Sequence, residues 1–241
     1  MDRRKINGVF FDLGWTLEKP GGDDWFLTER FFQSVSRDRF YAIEPEVRAD
    51  AMNRAYRPLC TDHHMTDCEE ENRRIRGYYA DLCRFLNLGL TENEIDEIAF
   101  DHTYNFANYR VFDSTEPVLK TLKEHGYRIG VISDTWPSTV PQQKEAGLYD
   151  YYDFLVLSFE LGVMKPHPDM YKTAIRLMGL PPEETVYIDD LTMSLDAAAA
   201  YGIHGIRSIA QTHDPSRSSY PCIDQPGDLP ALLKEMNGGS L

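Results

Sequence analysis

Short apolar runs recur along this chain, and all but the first are spaced at helix-sized intervals: Ile6–Phe11, Ile129–Ser133, Phe154–Leu157, Thr185–Ile188 and His204–Ile209. Each has the length of a buried strand and is bounded by charged or turn residues. The stretches between the later runs read as helices. One opens at Ser114, sets Val118, Leu119 and Leu122 on one face and stops at His125-Gly126. A second, Pro168–Met178, carries Tyr171, Ala174, Ile175 and Met178 on one stripe and ends at Gly179. Ser194–Tyr201 and Asp228–Met236 read the same way. Strands alternating with helices demand right-handed crossovers and a parallel sheet covered on both faces. The predicted fold class is α/β, with a Rossmann-like parallel sheet core.

About 95 residues, Glu18 to Phe112, separate the first run from the second and contain no convincing strand. A crossover needs far fewer, so the excess is an insert with its own packing. Its patterns are helical: Trp25–Phe40, Pro45–Leu59, Glu69–Leu86 and Thr91–Ala107, the last opened by a capping box from Thr91 to Glu94. The expected organisation is a core of residues 1–17 and 113–241 interrupted by an all-helical domain, 18–112. There is no internal repeat, and the tail Asn237–Leu241 reads as polar and frayed.

Composition narrows the class of partner. In 241 residues, 42% hydrophobic and 27% charged, 25 Lys and Arg face 39 Asp and Glu, a formal net charge of −14. Such a surface repels phosphate backbones and anionic membranes, and no basic cluster overrides it, so neither nucleic acid nor membrane is expected as a partner. Met1–Lys5 imitates the charged start of a signal peptide, but Asp12 interrupts the apolar stretch behind it. No apolar run approaches the ~18 residues of a membrane span. Four cysteines, Cys60, Cys68, Cys83 and Cys222, are too sparse for a disulfide framework. The expectation is a cytoplasmic protein, monomer or homodimer.

In an open parallel sheet, ligands bind outside the carboxyl ends of the strands, so the polar residues there matter most. The first run ends in Asp12-Leu13-Gly14-Trp15-Thr16-Leu17, the second in Ser133-Asp134-Thr135-Trp136, and the fourth in Asp189-Asp190. Gly162-Val163-Met164-Lys165-Pro166-His167 precedes the helix at Pro168. Singly, each has an ordinary reading. Asp12 can end a strand, Lys165 can be a surface lysine, and Asp189-Asp190 can cap a helix.

Together, and in this order, they resemble the motifs of the haloacid dehalogenase-like hydrolase superfamily, in the branch whose helical cap is inserted after the first motif. The resemblance reaches through Ile209 and includes the position of the insert. It implies a phosphatase acting through an aspartyl-phosphate intermediate on a small phosphorylated metabolite, with Asp12 as nucleophile and Mg2+ as cofactor. Asp12, Ser133 and Lys165 would be catalytic. Asp12, the Gly14 carbonyl, Asp190 and, directly or through water, Asp189 would hold the metal. Ser133, Asp134 and Lys165 would bind the substrate. The chemistry suits these residue types: a carboxylate attacking an anionic phosphoryl group needs its charge offset, by an ammonium and a hard cation in an oxygen shell.

The chain departs from the family pattern in two places. Where the family has a second carboxylate that protonates the leaving oxygen, this sequence has Gly14, a loss that typically costs about 10²- to 10⁴-fold and weighs most on poor leaving groups. Acyl, aryl or anomeric sugar phosphates are then the expected substrates. Two rival readings follow: a metal-binding but non-catalytic protein of the same fold, or a 2-haloacid dehalogenase, whose family members also lack that carboxylate. Against the second, Asp189 and Asp190 beside Asp12 would repel one another without a cation. Trp15 replaces a small residue of the family. It reads as packing, as does Trp136.

The insert also holds Cys60, His63, His64, Asp67 and Cys68, whose spacing fits no zinc pattern. Glu69-Glu70-Glu71-Asn72-Arg73-Arg74 reads as an exposed helix face laced by Glu/Arg pairs.

Overall fold

The computed structural model of the chain describes residues 5–239 and 241, the side chain of Arg217 excepted. Met1 to Arg4 and Ser240, which carry most of the charged start and part of the polar tail, lie outside the described residues. The chain divides into two compact units. One takes in the chain up to Lys19, Val111–Thr135 and Val140–Leu241; the other takes in Pro20–Arg110 with the short segment Trp136–Thr139.

The elements begin with β1 (Gly8–Phe11) and β2 (Glu18–Pro20). Five helices follow, α1 (Glu29–Ser34), α2 (Arg37–Tyr41), α3 (Pro45–Thr61), α4 (Cys68–Phe85) and α5 (Glu92–Tyr104), then β3 (Tyr109–Val111), which pairs with β2 in a two-stranded sheet. The remainder alternates: α6 (Thr115–Glu124), β4 (Arg128–Ser133), α7 (Thr139–Glu145), β5 (Phe154–Leu157), α8 (Ser158–Leu161), α9 (Pro168–Met178), β6 (Thr185–Asp189), α10 (Thr192–Ala199), β7 (His204–Ser208), β8 (Cys222–Ile223) and α11 (Leu229–Met236).

Six strands form one parallel sheet in the order β5-β4-β1-β6-β7-β8. Strands of such a sheet are buried on both faces, which is why they are continuous apolar runs. Val9, Phe10, Phe11, Ile129, Val131, Ile132, Val186 and Ile188 are fully shielded. Against one face, α9 lays Met170, Tyr171, Ala174 and Met178. Gly179 ends that helix in the left-handed conformation, φ 66°.

The chain leaves β1 to β4 on one side and returns through β6 on the other. That reversal opens a crevice at the carboxyl ends of β1, β4 and β6, where a ligand belongs. The register aligns those ends. Phe11 pairs with Val131 and with Ile188, so Asp12 emerges between Ile132 and Asp189.

In the helical unit, Thr28, Ser36 and Asp67 each cap a helix with a side-chain oxygen. The capping box at Thr91 and Glu94 is formed. Phe31, Phe40, Ile75, Tyr79, Leu82, Ile95 and Ile98 fill its core. Among the described residues, no helix is long and apolar enough to cross a membrane.

Several boundaries differ from the sequence expectations for identifiable reasons. The first strand starts at Gly8, and ahead of it the Ile6 N–H is taken by the Asn237 side chain (2.8 Å). That bond also ties down Asn237, at the start of the tail read as frayed. Trp25–Phe40 is not one helix: Thr28 and Ser36 each start a helix, and Val35 between them is extended. Short strands at Glu18–Pro20 and Tyr109–Val111 close the ends of the insert where none was expected. Helices α7 and α8 and strand β8 are too short to impose a period. Glu71 is not on an exposed face: it is fully buried, accepting from the Ser138 N–H and O–H, each at 2.7 Å.

Candidate active site

Asp12 leaves β1 with its N–H donated to the Ile188 carbonyl at 2.9 Å, which anchors it at the sheet edge. The chain then wraps tightly, the Leu13 carbonyl accepting from Leu17 (2.8 Å) and Glu18 (3.0 Å). The left-handed residue of this turn is Trp15, φ 53°, and not Gly14. A bulky residue there costs roughly 1–2 kcal/mol. The Trp15 N–H donates to the Glu18 carbonyl (2.7 Å), and its carbonyl accepts from the Ser208 hydroxyl (2.6 Å). Those two bonds hold the conformation.

Asp189 closes β6 and is fully buried, with Oδ1 accepting from the Leu191 N–H at 2.7 Å. Lys165 reaches in from the loop before α9. Its backbone N–H donates to Asp134 Oδ1 (2.9 Å), and its Nζ donates to Asp12 Oδ1 (2.9 Å), Asp189 Oδ2 (2.7 Å) and the Tyr187 hydroxyl (3.0 Å). An ammonium has three protons, and here three oxygens accept them. With Asp190, the carboxylates of Asp12 and Asp189 place one oxygen each within 4.8 Å of one another.

Crowding sets the electrostatics. Burial, reinforced by Asp189 and Asp190, pushes the Asp12 carboxyl up to about 8, although Lys165 pulls the other way. Asp190 rises to about 6, through burial and then Asp189. Asp134 also rises to about 6 through burial, opposed by Lys165. Burial alone would lower Lys165, but Asp12 and Asp189 outweigh it and hold the ammonium well above its ordinary range. One ammonium thus serves four carboxylates. That leaves negative charge without a partner, and the donor set, all hard oxygens, fits a divalent cation of the Mg2+ type.

The structure therefore brings together Asp12, Lys165, Asp189 and Asp190, with Gly14 in the adjoining turn. Asp134 joins them through the Lys165 backbone. Ser133 is the buried last residue of β4, one position beyond Ile132. Elsewhere, Cys60, His63, His64, Asp67 and Cys68 form no such group among the described residues. His63 Nδ1 sits 3.1 Å from the Leu59 carbonyl, and Asp67 caps α4.

Sequence reasoning missed two buried residues of the α/β unit. Tyr187, fully buried, donates to Asp189 Oδ2 at 2.5 Å; its place two residues before Asp189, on the same face of β6, is the signal that points to it. Glu18 accepts from the Gln142 and Gln143 side chains (2.7 and 2.9 Å), and burial pushes it up to about 7.

The open parallel sheet carries an ammonium and three carboxylates at its switch point. The chain belongs to the haloacid dehalogenase-like hydrolase family, whose model matches residues 29–202 and takes in Lys165, Asp189 and Asp190. It is 30% identical over 148 residues to a glyceraldehyde 3-phosphate phosphatase of Methanopyrus kandleri, a match covering 56% of this chain and 61% of that one. The chain thus spans less than two thirds of that relative. It is 23% identical over 163 residues to the pyrophosphatase PpaX of Bacillus cereus, covering 61% of this chain and 73% of that one. In three dimensions it resembles an L-2-haloacid dehalogenase from Xanthobacter autotrophicus with chloropropionic acid covalently bound, at TM-score 0.66 and 19% identity, covering 96% of this chain and 99% of that one. That likeness shows the shared fold.

Proposed function

We propose that the chain is a Mg2+-dependent phosphatase that hydrolyses a small phosphorylated metabolite through a phosphoryl group carried on Asp12. The carrying observation is the cluster itself: three carboxylates within 4.8 Å, with one buried ammonium shared between two of them. Lys165 holds Asp12 Oδ1 and so orients the carboxylate for attack on phosphorus. The attack forms an acyl phosphate and expels the leaving oxygen; water then attacks the same phosphorus and frees Asp12.

Lys165 offsets the charge of two anions meeting, and Asp134 fixes the backbone from which Lys165 extends. The Ser133 hydroxyl donates to a phosphoryl oxygen. Asp12, Asp190 and the Gly14 carbonyl would hold the cation, with Asp189 behind them, and the bound ion would supply charge neutralisation and polarise a phosphoryl oxygen. No side chain at Gly14 protonates the leaving oxygen, so acyl, aryl and anomeric phosphates and phosphoanhydrides are favoured. The phosphatase and pyrophosphatase names of the sequence relatives support a phosphate substrate.

The test is a phosphate panel with and without Mg2+ on the wild type and on Asp12→Asn. Turnover is expected only with Mg2+ and only in the wild type. EDTA-resistant turnover surviving in the variant contradicts the mechanism, and metal-free halide release from 2-chloropropionate would favour the dehalogenase reading.

A further inference from the structure

We infer that Tyr187 is a positioning residue that fixes the Lys165 ammonium against Asp12 and Asp189. Its ring belongs to the core beneath the sheet ends, among Phe10, Ile132, Tyr171 and Leu195. Its hydroxyl does something different. It lies 3.0 Å from Lys165 Nζ as acceptor and 2.5 Å from Asp189 Oδ2 as donor, with the Ile132 carbonyl at 3.1 Å as a second acceptor.

Ile132 is on β4 and Tyr187 on β6, with β1 between them. The phenol therefore spans the end of β1, where Asp12 emerges. A neutral hydroxyl suits this place because it accepts the third ammonium proton without adding a fifth negative charge. It also donates to Asp189, whose second oxygen would otherwise depend on Lys165 alone. With Asp12 Oδ1 and Asp189 Oδ2, it leaves the ammonium a single position that satisfies all three protons. A lysine is a flexible point charge, and holding it is what makes it useful.

The role in turnover rests on the phosphatase reading; the contact with Lys165 does not. Tyr187→Phe keeps the ring and deletes only the hydroxyl. A double-mutant cycle with Lys165→Met, read as urea unfolding midpoints of the metal-free protein, tests the contact without any substrate. The midpoint loss caused by Tyr187→Phe should shrink by at least about half in the Lys165→Met background, since the two groups are directly coupled. Equal losses in both backgrounds overturn the inference.

In the wild-type background, kcat on an aryl phosphate should fall roughly 10- to 100-fold, the range for losing a hydrogen bond to a charged group, while KM stays nearly constant. A normal kcat per folded molecule would leave Tyr187 a packing residue and likewise overturn it. If the wild type turns over no phosphate, the phosphatase reading fails, and the unfolding cycle still decides the role of Tyr187.

Discussion

Asp12 in the α/β unit and Glu71 in the helical unit are both buried acids, and their surroundings differ in kind. Glu71, on α4, is fully hidden and is pushed up to about 7 by burial, yet it accepts from the N–H and O–H of one residue, Ser138. Both donors are neutral, and both carboxylate oxygens are used. Asp12 is pushed up to about 8 by burial and by two further carboxylates, with a single ammonium to offset them. Burial alone raises an acid's pKa in either place. Only the second arrangement leaves charge that a bound cation and a phosphoryl group would complete. A perturbed carboxyl therefore marks a site here only when its neighbours are charged as well.

The comparison breaks most visibly at Lys165. Lys165→Met should lower kcat about 10²- to 10³-fold, as losing a preorganised electrostatic donor does. It should also lower the melting temperature, because Lys165 is only 8% exposed and its loss strips Asp12 and Asp189 of their counter-charge. The sequence, which offers a surface reading for this lysine, does not anticipate that second effect. Normal turnover in the variant would show that the ammonium is structural.

A smaller effect is expected at Gly14. Gly14→Asp should speed alkyl phosphates more than aryl ones, by at most about 10²-fold. The backbone admits the change, since the left-handed residue of the turn is Trp15. A series of monoesters graded by leaving-group pKa, under single-turnover conditions, reads it. A flat dependence in the wild type would show that another group already supplies the proton.

Smallest in its effect on turnover is Glu71, which acts on stability alone. Its folded pKa lies near 7, above the ordinary 4.5, so between those values the folded state binds more protons than the unfolded state. Stability contributed by this group therefore falls as pH rises from 4.5 through 7, by up to about 3 kcal/mol. Glu71→Gln should melt higher than the wild type at pH 8 and not at pH 4.5. Parallel melting curves at both pH values would mean that Glu71 is not held at a raised pKa.

What was legible follows from the same physics. Parallel strands buried on both faces must be near-continuous apolar runs, and Thr185–Ile188 shows as such without any partner in view. Asp12 and Asp189-Asp190 are legible as polar residues at strand ends, and Lys165 as a lysine just ahead of a helix, because the sequence sets them in company. Tyr187 hid inside an apolar run, where a tyrosine reads as core. Glu71 sits inside a charged run: the residue that donates to its carboxylate is Ser138, 67 residues away, and no local period records that.

The most direct measurement of the central claim is capture of the covalent intermediate. An aryl phosphate is mixed with the Mg2+-loaded wild type, quenched in acid within one turnover, and the peptide carrying Asp12 is weighed by mass spectrometry. The account predicts one phosphoryl group, located on Asp12 and absent when Mg2+ is withheld. Product release with no phosphoryl group on that peptide at any quench time, or a phosphoryl group on another residue, would contradict it.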